Sequence, residues 1–150
     1  MRVLLQRVSR ASVSIEGRVH SSVGEGLLVL CGFCASDTRE VVQKLAAKLV
    51  QMRIFADAQG LMNVSLADAG GSVLVVSQFT LYASTRKGNR PSFVRSAPPD
   101  VAMPMYDYFL EELRKLLPGK VQAGVFGANM QIELVNDGPV SIWMDSDAQE

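Results

Sequence analysis

Ser72-Val73-Leu74-Val75-Val76-Ser77-Gln78-Phe79-Thr80-Leu81 is the stretch whose reading decides the fold. Four aliphatic residues in a row, Val73 to Val76, do not alternate with polar ones, so they describe a strand buried on both faces. The run then turns polar at Ser77, Gln78 and Thr80. An unpaired hydroxyl or amide beside a core costs ~1–3 kcal/mol, so these groups need partners. They form either a hydrogen-bonded strand end or a place where polar groups meet a ligand, and the residues alone leave both open. Ser77 or Thr80 as a nucleophile needs an activating base nearby. Backbone N–H groups at the strand end are the other option, polarising a carbonyl as an oxyanion hole.

A second uninterrupted run, Leu27-Leu28-Val29-Leu30-Cys31, predicts another doubly buried strand upstream. Before it, residues 3–20 alternate and are interrupted by Glu16-Gly17, the pattern of two strands joined by a tight hairpin. After it, Asp37 and Glu40 stand at capping-box spacing. Val41, Val42, Leu45, Leu49 and Met52 then recur at helical spacing. Arg53-Ile54-Phe55 returns to strand, residues 57–60 turn, and residues 61–64 form a short strand. Beyond Leu81, a polar loop runs from Ser84 to Pro99. A second helix is opened by Asp100 or by Pro104 and buries Tyr106, Phe109, Leu110, Leu113 and Leu117. Pro118-Gly119 stops it. Strands at 121–124, 130–135 and 140–144 close the chain. The expected fold is α/β: one β-rich layered domain over residues 1–150, two β-sheets with two helices packed on them.

The length suffices for one buried core, and 48% hydrophobic with 20% charged residues excludes a disordered chain. No apolar run approaches the ~20 residues of a membrane-spanning helix, and the start lacks the pattern of a secretory signal. Two cysteines make no disulfide framework, so a reducing cytoplasm is the expected compartment. The 15 basic and 15 acidic residues balance, but their placement does not. No acidic residue lies between Asp68 and Asp100, where Arg86, Lys87, Arg90 and Arg95 fall, while Asp145, Asp147 and Glu150 gather at the C-terminus. The basic loop fits a local phosphate contact or an ordinary solvated face.

Other chemistry is thin. Cys31-Gly32-Phe33-Cys34 resembles a redox pair, but the helix-start signal comes after both thiols, and one such pair cannot complete a zinc site. Small buried residues explain it better, and neither a metal nor another cofactor is expected. His20, the single histidine, sits in the hairpin region, where a surface position explains it. Glu111 and Glu112 fall on the polar side of the second helix. Asn136-Asp137-Gly138-Pro139 reads as a turn between two strands. Gly138 permits close backbone approach to a ligand, and Pro139 is open to a cis bond, found for ~5–6% of such bonds.

Ser77-Gln78-Phe79-Thr80-Leu81 and Asn136-Asp137-Gly138-Pro139-Val140-Ser141 are the residues through which the chain resembles the D-aminoacyl-tRNA deacylase family. The likeness extends over essentially all 150 residues, including Met1-Arg2-Val3-Leu4-Leu5-Gln6-Arg7-Val8, Met52-Arg53-Ile54-Phe55 and Gly124-Val125-Phe126-Gly127-Ala128-Asn129-Met130. Ser141 stands where threonine is usual, and Phe79 favours the main bacterial type over an animal paralogue.

The resemblance implies a homodimer of layered α/β fold, with the active site at the subunit interface and aminoacyl-tRNA as the substrate. Gly138-Pro139 would carry a cis bond, reach into the partner's site and exclude an L side chain, so that L-aminoacyl esters are spared while D-aminoacyl and glycyl esters are hydrolysed. The terminal 2′-OH of the tRNA would drive hydrolysis while Ser77, Gln78, Phe79 and Thr80 position the ester carbonyl and stabilise its oxyanion. Thr80 as nucleophile is the rival assignment. Ala102 and Phe126 would contact the terminal adenosine. Arg86, Lys87, Arg90 and Arg95 would meet tRNA phosphates. Two alternatives from other classes are a non-catalytic dimeric RNA-binding module and a thiol–disulfide oxidoreductase using Cys31 and Cys34.

Overall fold

In the computed structural model, which describes residues 1–148, the aliphatic run becomes a strand inside a six-stranded sheet. Glu150, counted above with the acidic C-terminus, lies outside the described residues. The sheet holds β1 (Arg2–Ile15), β2 (Arg18–Val23), β3 (Gly26–Gly32), β6 (Ser72–Ser77), β7 (Val121–Ala123) and β8 (Gln131–Asp145). β4 (Arg53–Ala56) and β5 (Met62–Ser65) form a separate two-stranded ribbon. Three helices join them: α1 (Arg39–Gln51), the single turn α2 (Leu66–Ala69) and α3 (Pro99–Leu116).

Within the large sheet the order is β2-β1-β3-β6-β7, with β8 also paired to β1. β3 and β6 run parallel, as do β6 and β7, while β1 pairs antiparallel with β2, β3 and β8. Burial of β3 and β6 on both faces explains why their sequences do not alternate. Leu27, Val29, Val73 and Val75 face a cluster completed by Val42, Leu45 and Leu49 of α1 and by Tyr106, Phe109 and Leu113 of α3. Leu28, Leu74 and Val76 face the opposite side, with Val8, Ala11 and Val13 of β1. β1 serves both clusters because its pairing with β8 slips between Gln6 and Arg10, which exchanges its inward-facing residues.

The hairpin forms as the sequence predicts, with Glu16 and Gly17 both at positive φ, the geometry of a tight two-residue turn. Gly26 is required by contact, since a Cβ there would lie 1.8 Å from the Ser72 carbonyl oxygen across the β3–β6 pair. Several expectations are corrected. Thr38, not Asp37, caps α1, its hydroxyl accepting from Val41 N–H at 3.3 Å. Asp37 is buried instead, ion-paired with the Met1 ammonium and accepting from Cys34 N–H at 2.8 Å. α3 starts at Pro99, earlier than either Asp100 or Pro104, because a proline with preset φ fits the first helical position. Pro104 falls inside the helix, where it gives up one backbone hydrogen bond. The strands expected at 130–135 and 140–144 are two halves of β8, so residues 136–140 bulge within one strand and do not turn between two.

Candidate active site

β3, β6 and β7 are parallel, so their carboxyl ends emerge on one side of the sheet. The segments leaving those ends cannot continue the ladder, and open parallel sheets hold ligands in the crevice they leave. Here the crevice is a cavity of about 530 Å³. Gly32 and Phe33 line it at the end of β3, Ser77 to Phe79 at the end of β6, and Phe126 to Met130 after β7. Ala97, Pro99 and Ala102, at the start of α3, close another wall.

Ser77 is the last residue of β6 and is half-buried. Gln78 N–H still donates to the Cys31 carbonyl at 2.7 Å, after which residues Phe79–Tyr82 coil into a 3-10 turn. The leading N–H groups of such a turn have no acceptor within it, and in this one they belong to Phe79 and Thr80. The Gln78 side-chain amide donates to the Thr80 hydroxyl, so both polar side chains are oriented by each other. Arg2 fixes the far end of the turn. Its guanidinium donates to the Leu81 carbonyl at 2.8 Å and to the Asp145 carboxylate at 2.9 Å, and it lies 4.5 Å over the Tyr82 ring. Gly32 allows the turn to sit this close, since a Cβ there would meet the Gln78 carbonyl oxygen at 2.7 Å.

Among the lining residues Cys31 alone carries a titratable side chain, and burial pushes its thiol well above the ordinary range. It is therefore a packed, protonated group whose Sγ contacts the Val76 carbonyl at 3.7 Å. Cys34 lies outside the cavity and contacts the Ser36 hydroxyl. Burial likewise pushes up the phenols of Tyr82 and Tyr106, which keeps both protonated. The Tyr106 hydroxyl donates to the Val75 carbonyl at 3.1 Å and its ring packs 5.8 Å from that of Phe126. No group of three or more metal-ligating side chains occurs among the described residues. His20 is exposed and lies on a different groove, with Asp107 and Arg114.

The structure thus brings together Ser77, Gln78, Phe79, Ala102 and Phe126 around one cavity. Phe126 is half-buried, not the freely exposed ring its stacking role suggested. Arg86, Lys87 and Arg90 are exposed on the loop beyond the turn and line neither groove, while the Arg95 guanidinium lies 5.8 Å over the Tyr82 ring. Gly138 and Pro139 do not line the cavity either. They are joined by a cis peptide bond and stand exposed on the bulge of β8. Asn136 closes the base of that bulge, its side chain accepting from Val140 N–H at 2.8 Å and donating to the Val140 carbonyl at 3.2 Å. Arg7 holds its outer limb, donating to the Asp137 carbonyl at 2.8 Å and to the Ile54 carbonyl at 2.6 Å. Sequence reading assigned no role to Arg2, Arg7 or Gly32. Their signal was faint: two arginines in an otherwise alternating strand, and a glycine closing an aliphatic run.

The site is a part-open crevice at the carboxyl ends of parallel strands in a mixed α/β domain. The family described as D-Tyr-tRNA(Tyr) deacylase matches residues 4–145. A D-aminoacyl-tRNA deacylase of Akkermansia muciniphila is 57% identical over 150 residues, covering 100% of both chains. One from Thermomicrobium roseum is 58% identical over 147 residues, 97% of this chain and 94% of its own. A solved structure described as the c-Myc DNA Unwinding Element Binding Protein superposes with a TM-score of 0.94 at 40% identity, over 99% of this chain and 100% of its own. A probable eukaryotic D-amino acid tRNA deacylase shares the fold, with a TM-score of 0.82 at 20% identity. This chain belongs to the D-Tyr-tRNA(Tyr) deacylase family, and with it to the carboxylic ester hydrolases.

Proposed function

We propose that the protein cleaves the ester between a D-amino acid and the terminal ribose of tRNA, working in the cytoplasm as a homodimer. The observation that carries this reading is the cavity at the carboxyl ends of β3, β6 and β7, in a chain matching deacylases along its whole length. The leading amide of Phe79 on the cavity wall suits a developing oxyanion, with that of Thr80 next in the turn though outside the lining, and Ser77 and Gln78 suit the ester's orientation. Ala102 and Phe126 suit the terminal adenosine. The cavity wall of one chain carries no titratable side chain but the buried, protonated Cys31, which favours the substrate's own 2′-OH as the driving group and gives Thr80 no neighbouring base there to activate it.

Chirality is read by exclusion. Gly138-Pro139 of a second copy reaches the cavity and leaves room at the substrate Cα for hydrogen but not for an L side chain, so glycyl-tRNA is a secondary substrate. Two features favour insertion into a partner: the pair is exposed on its own chain, and the outer edge of the long β8 pairs with no strand among the described residues. Deacylation of paired D- and L-tyrosyl-tRNA tests the reading, with release from the D form alone expected. Equal cleavage of both, or of neither, rejects it. A D-tyrosyl-tRNA ending in 2′-deoxyadenosine should resist hydrolysis, and full turnover of it removes the substrate-driven mechanism. An RNA-binding module without catalysis is the outcome in which tRNA binds and neither ester is cleaved.

A further inference from the structure

Two aromatic rings, Phe79 on the cavity wall and Phe93 packed against it, stand where core packing does not account for them. Phe79 is 57% and Phe93 38% exposed, and their centroids lie 5.2 Å apart at an interplanar angle of 71°. Val94 beside them is 88% exposed. Leaving such side chains in water forgoes roughly 25 cal/mol for each Å² of apolar surface that burial would remove. The loop cannot fold them away without breaking its own fastenings. Ser84 and Ser92 exchange backbone hydrogen bonds of 2.8 and 3.0 Å, and the Ser96 hydroxyl donates to the Phe79 carbonyl at 2.8 Å. Ala97 N–H donates to the Phe33 carbonyl at 2.9 Å, so the loop returns to the cavity rim.

Charge accompanies the rings. Arg86, Lys87 and Arg90 are exposed on the same loop and make no ion pair among the described residues. No acidic residue falls between Asp68 and Asp100 to offset them. Aromatic faces beside unpaired cations bind single-stranded nucleic acid, the rings stacking on bases and the cations meeting phosphates. Phe79 belongs both to this pair and to the cavity wall, so the surface is continuous with the site.

We propose that Phe93, braced edge-to-face by Phe79, is a stacking platform for an unpaired nucleotide of the RNA substrate immediately preceding its terminal adenosine, with Arg86, Lys87 and Arg90 facing the phosphates. The inference rests on the deacylase reading and adds to it a subsite for the RNA strand outside the cavity. A second copy of the chain covering the rings is the competing occupant, and the mixture of rings with unpaired like charges disfavours it.

The test compares KM for D-tyrosyl-tRNA and for D-tyrosyl-adenosine, which lacks the preceding nucleotides, in the wild type, Phe93→Leu and Phe93→Trp. Leucine keeps apolar bulk without a π face, and the half-exposed position tolerates either change. A stacked base contributes about 1–3 kcal/mol, so Phe93→Leu should raise KM for the tRNA at least about five-fold more than for the adenosine ester. Phe93→Trp should restore it. Equal changes on both substrates, or none on either, overturn the platform. A change of oligomeric mass by light scattering in Phe93→Leu also overturns it, in favour of a protein contact. A wild type inactive on both esters rejects the deacylase reading itself. Activity on both with Phe93→Leu neutral rejects the platform alone.

Discussion

The strand end at Ser77–Thr80 and the bulge at Asn136–Ser141 carry the chain's two polar motifs, and the fold holds them in opposite ways. The first grows out of a strand buried on both faces, its turn fixed by backbone hydrogen bonds and by Arg2. The second protrudes from a strand with an unpaired outer edge, held at its base by Asn136 and along its limb by Arg7. A group that must stay still while charge develops belongs on the rigid core. A group that must enter another molecule's cavity has to project, and side-chain clamps give a projecting loop its shape without burying it. The difference separates a motif that the chain builds into its core from one that it leaves projecting, as the proposed insertion into a second copy requires.

The largest effect should come from crowding the rigid motif. In Gly32→Ala the new Cβ must displace the Gln78 carbonyl from 2.7 Å, and a backbone atom cannot swing aside as the end of a flexible side chain can. Misplacement by about 1 Å in such a site costs about 100-fold in rate. Deacylation should therefore fall about that much while D-over-L selection persists, because the bulge is untouched. Stopped assays on both esters read this directly, and an unchanged rate would show that the turn has no catalytic part.

Loosening the projecting motif should do the reverse. Asn136→Ala leaves Val140 N–H without its side-chain acceptor at 2.8 Å, a loss of about 1 kcal/mol in stability. Selection of D over L should narrow about ten-fold, the equivalent of about 1.4 kcal/mol, with the D-ester rate changing less. Equal losses on both esters would abolish the distinction between the two regions.

The smallest effect is electrostatic. Burial opposes ionisation of Asp145, but the Asp147 amide and the Arg2 guanidinium together outweigh it and hold the carboxyl below its usual range. A depressed carboxyl stabilises the fold above its unfolded pKa of about 3.9 and loses that contribution as pH falls through the lower folded value. Arg2→Gln should lower stability by about 1 kcal/mol or less near neutrality. The gap between its urea midpoint and that of the wild type should narrow in strong acid, where the wild type loses the Asp145 pair too. A gap between the two proteins that stays constant down to about pH 2 would place Arg2's contribution in its contacts with the Leu81 carbonyl and the Tyr82 ring, not in the Asp145 pair.

Much of the architecture was legible in the chain. Val73–Val76 and Leu27–Cys31 announced doubly buried strands, Glu16-Gly17 announced a hairpin, and the spacing of Leu45, Leu49, Phe109 and Leu113 announced helices. The errors fell at boundaries. Asp37 had the spacing of a cap, yet its carboxylate went to the Met1 ammonium, and Thr38 took the cap. Asn136-Asp137-Gly138-Pro139 had the composition of a turn, yet β1 pairs with β8 on both sides of it and makes it a bulge. In the site, Ser77–Thr80 was visible as polarity where burial had just ended. Arg2, Arg7 and Gly32 were not, because each acts on a residue far along the chain.

By itself the sequence determined which segments are buried and with what period, since hydrophobic burial leaves its mark residue by residue. It also determined the family, through two motifs within a match along nearly the whole chain. Only the tertiary structure decided that Phe33, Ser77 and Phe126 surround one cavity. That follows from β3 and β7 flanking β6 in parallel, which turns three separate strand ends to the same side of the sheet. It also set the cavity apart from Gly138-Pro139, because the pairing of β1 with β8 carries that bulge to an exposed edge. Local pattern fixes what is buried; strand order and direction fix what meets.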